Sequence, residues 1–241
     1  MGGPDIEARG GLVSARRRPQ GLVVASAVVT VVVIADVLVG GPLRHLDDQV
    51  FADGLPPRSG YRHFFWRTVV NAGQYWLVGS LAALTSLAVA WRRRSAALAI
   101  RAGVWLVTAE LLVRGAQIGF ARTPPRTGRD ALLADGFLSF PSGHAANAAA
   151  CLLFVAALVG ASRAWTIAAH TLAAGVAVAV VTLGYHWPTD AIAGWGLGML
   201  LACAGRAFVV PQGGYSPADP AACDGGRQQV DHIRNHGERR P

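Results

Sequence analysis

The feature that most constrains this chain is a series of long apolar segments separated by short polar ones. A helix that crosses a membrane needs about 20 predominantly apolar residues, and six segments meet that condition. They cover approximately residues 21–41, 72–91, 96–119, 142–160, 165–184 and 190–210. The composition agrees, since 52% of the residues are hydrophobic and 15% are charged. The sequence therefore predicts an all-α, multi-pass protein of the cell membrane.

Polar segments flank this six-helix bundle, which forms one domain over residues 21–210. Residues 1–20 carry several arginines, and residues 211–241 combine glycine, proline and balanced charge, so both are expected to be disordered tails. The first apolar segment follows Arg16, Arg17 and Arg18, as in a signal peptide. It is too long for one, however, and no small-x-small cleavage site ends it. We therefore interpret it as a membrane span.

The arginines indicate how the bundle is oriented. All 22 basic residues are arginine, which gives a formal net charge of +8. Of these, 13 lie in the two tails, the 92–94 turn, the turn at Arg163 and the end of the last span, against seven on the other side. The positive-inside rule then places both termini in the cytoplasm. Because the arginines are sorted by side of the membrane, we expect no nucleic-acid partner.

Two of the polar loops outside the spans deserve separate interpretations. Residues 61–67 mix aromatic residues with arginines, which is typical of an amphipathic helix in the headgroup layer, although a role in lipid recognition stays open. The 121–140 loop carries Arg122, Arg126 and Arg129. Guanidinium groups pair with phosphate oxygens, so this loop suits a phosphate dianion, while a plain solvated loop is the alternative.

Two short motifs stand where the fourth and sixth predicted spans begin. Pro-Ser-Gly-His at 141–144 places His144 at a helix N-terminus, whose unpaired N–H groups and partial positive charge attract anions. His-Trp-Pro-Thr-Asp at 186–190 places Asp190 four residues after His186. At that spacing the carboxylate can hold the imidazole in one tautomer and favour its cationic form. Two histidines so placed indicate phosphate chemistry.

Taken in order, Arg122, the 142–144 triplet and the His186–Asp190 pair resemble the type 2 phosphatidic acid phosphatase superfamily of integral membrane phosphatases. The resemblance covers roughly residues 40–205. It implies a reaction without metal or other cofactor, in which His186 attacks phosphorus and forms a phosphohistidine. Asp190 would orient His186, and His144 would protonate the leaving oxygen and then activate water. The phosphate oxygens would be held by Ser142, Gly143 and Arg122.

The chain departs from the family pattern in its cations. The family's first motif usually runs Lys-x6-Arg-Pro, but this chain has no lysine, and Arg114 is one position too far from Arg122 to match. An arginine is expected six residues before the histidine of the third motif, where this chain has Val180. Arg126 and Arg129 are candidates to replace these contacts. Arg114 either binds the phosphate as well or only pairs with Glu110, four residues before it.

These observations predict an enzyme that hydrolyses a lipid phosphate or pyrophosphate, with polyprenyl (undecaprenyl pyrophosphate included) and glycerolipid phosphates as candidates. Its pocket is expected at the extracytoplasmic face, among membrane lipids. One alternative is a phosphotransferase that discharges the phosphohistidine to a lipid or sugar hydroxyl. Another is a lipid-binding or transport protein that has lost activity. A homo-oligomer is compatible with the sequence, and no metal site is expected, since His232 and His236 have no third ligand.

Overall fold

The computed structural model describes the backbone of residues 5–210 and the side chains of residues 21–210. Within these residues the chain is helical and contains no strand. The α-helices are α1 (Asp5–Val39), α2 (Pro42–Val50), α3 (Gly60–Asn71), α4 (Tyr75–Arg92), α5 (Ala96–Phe120), α6 (Gly143–Leu158), α7 (Arg163–Thr182) and α8 (Pro188–Val209). A short 3-10 helix, Pro125–Thr127, lies in the loop between α5 and α6.

The predicted all-α fold is confirmed for the described residues. Five segments are long and apolar enough to cross a membrane: Gly21–Val39, Gly60–Arg92, Ala96–Thr127, Arg163–Thr182 and Pro188–Val209. The remaining predicted span corresponds to α6, which has 16 residues and falls short of that length. The sixth crossing, the cytoplasmic termini and the outward-facing site therefore stay predictions.

The two predicted tails are not tested. Helix α1 begins at Asp5, within the segment predicted as the first tail, and its membrane-spanning part starts at Gly21. The second predicted tail, residues 211–241, lies outside the described part of the chain, as do His232 and His236.

Serine caps and left-handed glycines set the helix boundaries close to where the sequence predicts them. Ser95, Ser142 and Ser162 precede α5, α6 and α7, and each hydroxyl accepts a hydrogen bond from a backbone N–H of the first turn. Gly160 and Gly184 follow α6 and α7 with φ of +63° and +64°, a conformation that side chains disfavour. Local sequence thus fixes both ends of α6, which carries the first histidine motif, and of α7, which precedes the second.

Helix α6 lies at the centre of the bundle, packed against α4, α5, α7 and α8. Small residues allow this close packing. A Cβ added to Gly194 would lie 2.3 Å from the carbonyl oxygen of Ser142, and one added to Gly198 would lie 2.3 Å from that of Ala146. These two glycines form a Gly-x3-Gly pattern, which lets membrane helices approach closely. The same contact presses α8 against the start of α6, where the first histidine motif lies.

Helix α3 confirms the short helix predicted between the first two spans, and it packs against α7. Its aromatic residues point away from the bundle: Tyr61 is 91% exposed and Phe64 is 73% exposed. Large apolar side chains also cover the outside of the long helices, including Leu84, Leu111 and Val178. Apolar surface of this extent requires a lipid environment, so the chain is an integral membrane protein.

The packing between α6 and α8 predicts a stability difference between two Gly→Ala changes. Gly198→Ala should lower the thermal unfolding midpoint in detergent, because its Cβ would collide with the backbone of α6. Gly115→Ala on α5 is the matched control: nothing lies within 4 Å of its added Cβ, so a gain of roughly 0.5–1 kcal/mol is expected from the lower entropy of the unfolded chain. Equal midpoints for the two variants would contradict this description of the packing.

Candidate active site

The two histidines predicted to carry the chemistry face each other at one end of the bundle. His144 lies in the first turn of α6, and His186 immediately precedes the N-cap of α8. Their ring centroids are 6.3 Å apart. Both side chains are largely enclosed, and His186 is 8% exposed. The two rings are thus close enough together to take part in the same reaction.

The hydrogen bonds of His186 select one tautomer. Its Nδ1 lies 2.8 Å from the backbone carbonyl oxygen of Ser139, which can only accept, so Nδ1 carries the proton. The Asp190 carboxylate lies farther from the same nitrogen, at 3.5 Å. With Nδ1 protonated, Nε2 keeps its lone pair. His186 therefore presents an unprotonated nitrogen, which is the form that a nucleophile needs.

Ser139 is a site residue that the sequence motifs did not reveal. Its carbonyl orients His186, its Oγ lies 3.3 Å from His186 Nδ1, and the hydroxyl donates a hydrogen bond to Asp190 Oδ2. Ser139 thus connects the two members of the predicted pair. The available signal was weak, namely a serine between apolar residues just before the Pro-Ser-Gly-His motif.

Asp190 has two sets of partners, one for each carboxylate oxygen. Its Oδ2 accepts hydrogen bonds from Ser139 and from the backbone N–H of Trp187, which caps the start of α8. Its Oδ1 accepts from Arg122 Nη1 at 2.7 Å. The side chain is fully buried. The carboxylate is therefore held rigidly beside His186, as the sequence predicted, although its contact to the ring is longer than that of Ser139.

Arg122 occupies the centre of a buried cluster of carboxylates. Its Nε donates to Asp130 at 2.7 Å, and Nη2 donates to Asp130 and Asp47, both at 2.8 Å. Its Nη1 donates to Thr189 and Asp190, both at 2.7 Å. A guanidinium has five N–H donors, so all of them are used. The side chain is 0% exposed.

This geometry disagrees with the expectation that Arg122 binds the phosphate of a substrate. No donor of Arg122 is left for a ligand, and the side chain has no contact with solvent. An incoming phosphate would have to displace one of the three carboxylates. The structure thus places Arg122 as a structural centre that holds Asp190 beside His186.

Two carboxylates of the cluster come from loops or short helices rather than from the spans. Burial would raise the pKa of Asp130, but hydrogen bonds from Arg122 and Arg44 outweigh it and hold the pKa below its ordinary value. Burial raises the pKa of Asp47 despite the hydrogen bonds that it accepts from Thr189 and Arg122. With all carboxylates ionised, three negative charges face the two positive charges of Arg44 and Arg122.

The start of α6 contributes backbone N–H groups to the site, next to His144. Ser142 is buried and its hydroxyl caps the helix at the N–H of Ala145. Among the described residues, the backbone N–H groups of Gly143 and His144 make no hydrogen bond. Gln117 supports this turn by donating to the carbonyls that flank it, those of Leu138 and Pro141. The free N–H groups are available for an anion, as expected of a helix N-terminus.

The other predicted arginines lie in different surroundings. Arg126 reaches the end of α7, where Nη2 donates to the carbonyl of Leu183 and the guanidinium lies 5.1 Å from the ring centroid of Tyr185. Its buried Nε has no partner among the described residues. Arg114 is half exposed and pairs with Glu110 at 3.8 Å, which confirms the predicted ion pair but brings Arg114 to neither histidine. Arg129 is exposed.

Comparison with known proteins agrees with this geometry. The profile of the PAP2 superfamily matches residues 98–213, which include both histidine motifs and Arg122. The match covers just under half of the chain. The resemblance indicated by the motifs is therefore confirmed, and it supports, at a coarse level, a phosphatase that acts on phosphate esters.

The fold is also similar to that of a solved structure, described as the crystal structure of the first transmembrane PAP2 type phosphatidylglycerolphosphate phosphatase from Bacillus subtilis. The two chains superpose with a TM-score of 0.58 at 20% sequence identity, over 80% of this chain and 98% of the other. At this identity the similarity establishes the PAP2 fold. No curated protein sequence matches the chain significantly.

The contacts of Ser139 predict a kinetic effect. Ser139→Ala removes the hydroxyl that fixes Asp190 while leaving the carbonyl that orients His186, so kcat for phosphate release should fall about tenfold and KM should change little. Ser86→Ala is the matched control, because that buried hydroxyl bonds only within α4, to the carbonyl of Ala82. An unchanged kcat in Ser139→Ala would show that the hydroxyl does not support the nucleophile.

The two loop arginines predict opposite phenotypes. Arg122→Gln should lower the unfolding midpoint strongly, because it leaves buried carboxylates without their counter-charge, a loss of about 3 to 5 kcal/mol. Arg126→Gln should leave the midpoint nearly unchanged and raise KM or lower kcat. Both variants are compared by thermal unfolding in detergent and by phosphate release. A stable Arg122→Gln protein with a raised KM would instead identify Arg122 as a phosphate ligand.

Proposed function

We propose that this protein is a membrane phosphatase that removes the phosphoryl group of a lipid phosphate or diphosphate through a phosphohistidine on His186, without a metal ion. The observation that carries the proposal is the contact of His186 Nδ1 with the Ser139 carbonyl, which leaves Nε2 free, together with the His144 ring at a centroid distance of 6.3 Å. The PAP2 domain and the fold shared with a solved phosphatase support the same reaction class.

In the first half-reaction, Nε2 of His186 attacks phosphorus and a nitrogen–phosphorus bond forms. The bond from phosphorus to the lipid oxygen breaks, and its electron pair stays on that oxygen. His144, in its protonated form, donates a proton to the leaving oxygen. Positive charge develops on the His186 ring, and the Asp190 carboxylate and the Ser139 carbonyl stabilise it.

In the second half-reaction, His144 removes a proton from water and the resulting oxygen attacks the phosphohistidine. The nitrogen–phosphorus bond breaks, and its electron pair returns to Nε2 of His186. The products are inorganic phosphate and the lipid alcohol, or the lipid monophosphate when the substrate is a diphosphate, and both histidines return to their original protonation states. Charge on the phosphoryl oxygens is stabilised by the free N–H groups of Gly143 and His144 at the start of α6.

The position of the two histidines supports a lipid substrate. The histidines lie at the ends of apolar helices, and α3 next to them exposes Tyr61, Phe64 and Phe65, which suit the headgroup layer. A phosphate held there would keep its apolar tail among the surrounding lipids. The arginine-rich turn at 92–94 lies at the opposite end of α4 and α5, so the positive-inside rule places the site at the outer leaflet.

The experiment is phosphate release by purified protein from a panel of polyprenyl, glycerolipid and sphingoid phosphates. His186→Ala and His144→Ala should each abolish release, whereas His170→Ala, a change within α7 away from the motifs, should not. Added chelator should have no effect, since the proposed reaction uses no metal. Unchanged release in either motif variant would overturn the proposal.

Covalent trapping separates the proposal from its alternatives. Rapid quenching at alkaline pH with a radiolabelled substrate should leave acid-labile phosphate on wild-type protein and none on His186→Ala. A labelled protein that loses its label only when a lipid or sugar alcohol is added, with the label then found on that alcohol, would be a phosphotransferase. Absence of both labelling and release on every substrate would favour the lipid-binding or transport alternative.

A further inference from the structure

Two arginines, Arg58 and Arg126, lie near the 183–185 turn that precedes His186, and neither takes part in the cluster around Arg122. Arg126 reaches the 183–185 turn, directly before His186, where it bonds the carbonyl of Leu183 and stacks over Tyr185. Arg58 lies close enough that its positive charge and that of Arg126 repel each other. Like charges brought together are unfavourable unless an anion is shared between them.

The fold brings Arg58 to this position through the loop that precedes α3. Leu55 and Pro56 pack against the same turn, and a Cβ added to Gly184 would lie 3.2 Å from each. Gly184 has φ of +64°, so the turn and the loop fit only with glycine there. The contact brings Arg58, two residues farther along, to the same turn that Arg126 reaches.

No acidic side chain neutralises this pair. Within the described residues, neither Arg58 nor Arg126 takes part in an ion pair, whereas Arg44 and Arg122 are both paired with carboxylates. Arg126 also keeps a buried, unpartnered Nε in that part of the chain. Two uncompensated guanidinium groups with an unused donor, next to a nucleophilic histidine, are suited to bind phosphate oxygens.

We propose that Arg58 and Arg126 form a second anion subsite that holds the proximal phosphate of a lipid diphosphate while the terminal phosphate lies between the histidines. This inference rests on the proposed function and specifies its substrate class. The bond between the terminal phosphorus and the bridging oxygen breaks, and the electron pair stays on the lipid monophosphate. The two arginines stabilise that charge, so a diphosphate is preferred over a monophosphate with the same tail.

The test compares farnesyl diphosphate with farnesyl monophosphate in detergent micelles at low ionic strength. Arg58→Gln should lower the ratio of kcat/KM for the diphosphate to that for the monophosphate about fivefold, a loss expected for an exposed charge-assisted contact. Arg62→Gln, an exposed arginine on α3 that carries the same charge, should keep the wild-type ratio. An unchanged ratio in Arg58→Gln would overturn the subsite.

A second readout does not depend on turnover of a diphosphate. Inorganic pyrophosphate should inhibit monophosphate hydrolysis more strongly than inorganic phosphate does, and Arg58→Gln should remove that difference. Equal inhibition by the two anions in wild-type protein would contradict the subsite while leaving the phosphatase assignment intact. Absence of hydrolysis of both farnesyl substrates and of the wider lipid panel would instead overturn the proposed function, and the subsite with it.

Discussion

The five hydrogen bonds of the Arg122 guanidinium join the segments from which the candidate site is assembled. They connect Asp47 on α2, Asp130 in the loop after α5 and Asp190 at the start of α8. Helix α2 and the loop lie outside the spans, so these hydrogen bonds tie both of them to the start of α8. Because the group is fully buried, loss of any one charge leaves others uncompensated, and this makes the arrangement rigid.

The cluster also fixes the position of Asp190 relative to His186. One oxygen is bound to Arg122, and the other faces Ser139 and the start of α8, so the carboxylate cannot turn away from His186. The carboxylates outnumber the arginines around them, and the excess negative charge lies beside the His186 ring, which becomes positive in the proposed phosphohistidine. The cluster thus stabilises the proposed intermediate without touching the phosphate.

The sequence predicted what local rules determine. Apolar runs placed the long helices within a few residues, and the two motifs pointed to His144, His186 and Asp190, which the structure brings together at one end of the bundle. The partners of Arg122 followed no local rule: Asp47 lies 75 positions away along the chain, on a short helix that no pattern indicated. Ser139 was missed for the same reason, because its role comes from a carbonyl that any residue has and from a neighbour 47 positions away.

The missing arginine of the third motif shows how three-dimensional contacts alter a family pattern. Val180, at that position, is fully buried in an apolar cluster with Val70 and Leu183, where a guanidinium would have no acceptor. Arg126 instead reaches the end of α7 from the 121–140 loop. It donates a hydrogen bond to the carbonyl of Leu183, three residues before His186. The 121–140 loop therefore carries two arginines in different surroundings: Arg122 donates to three carboxylates and Thr189 and holds Asp190 beside His186, whereas Arg126 keeps a donor that has no partner among the described residues.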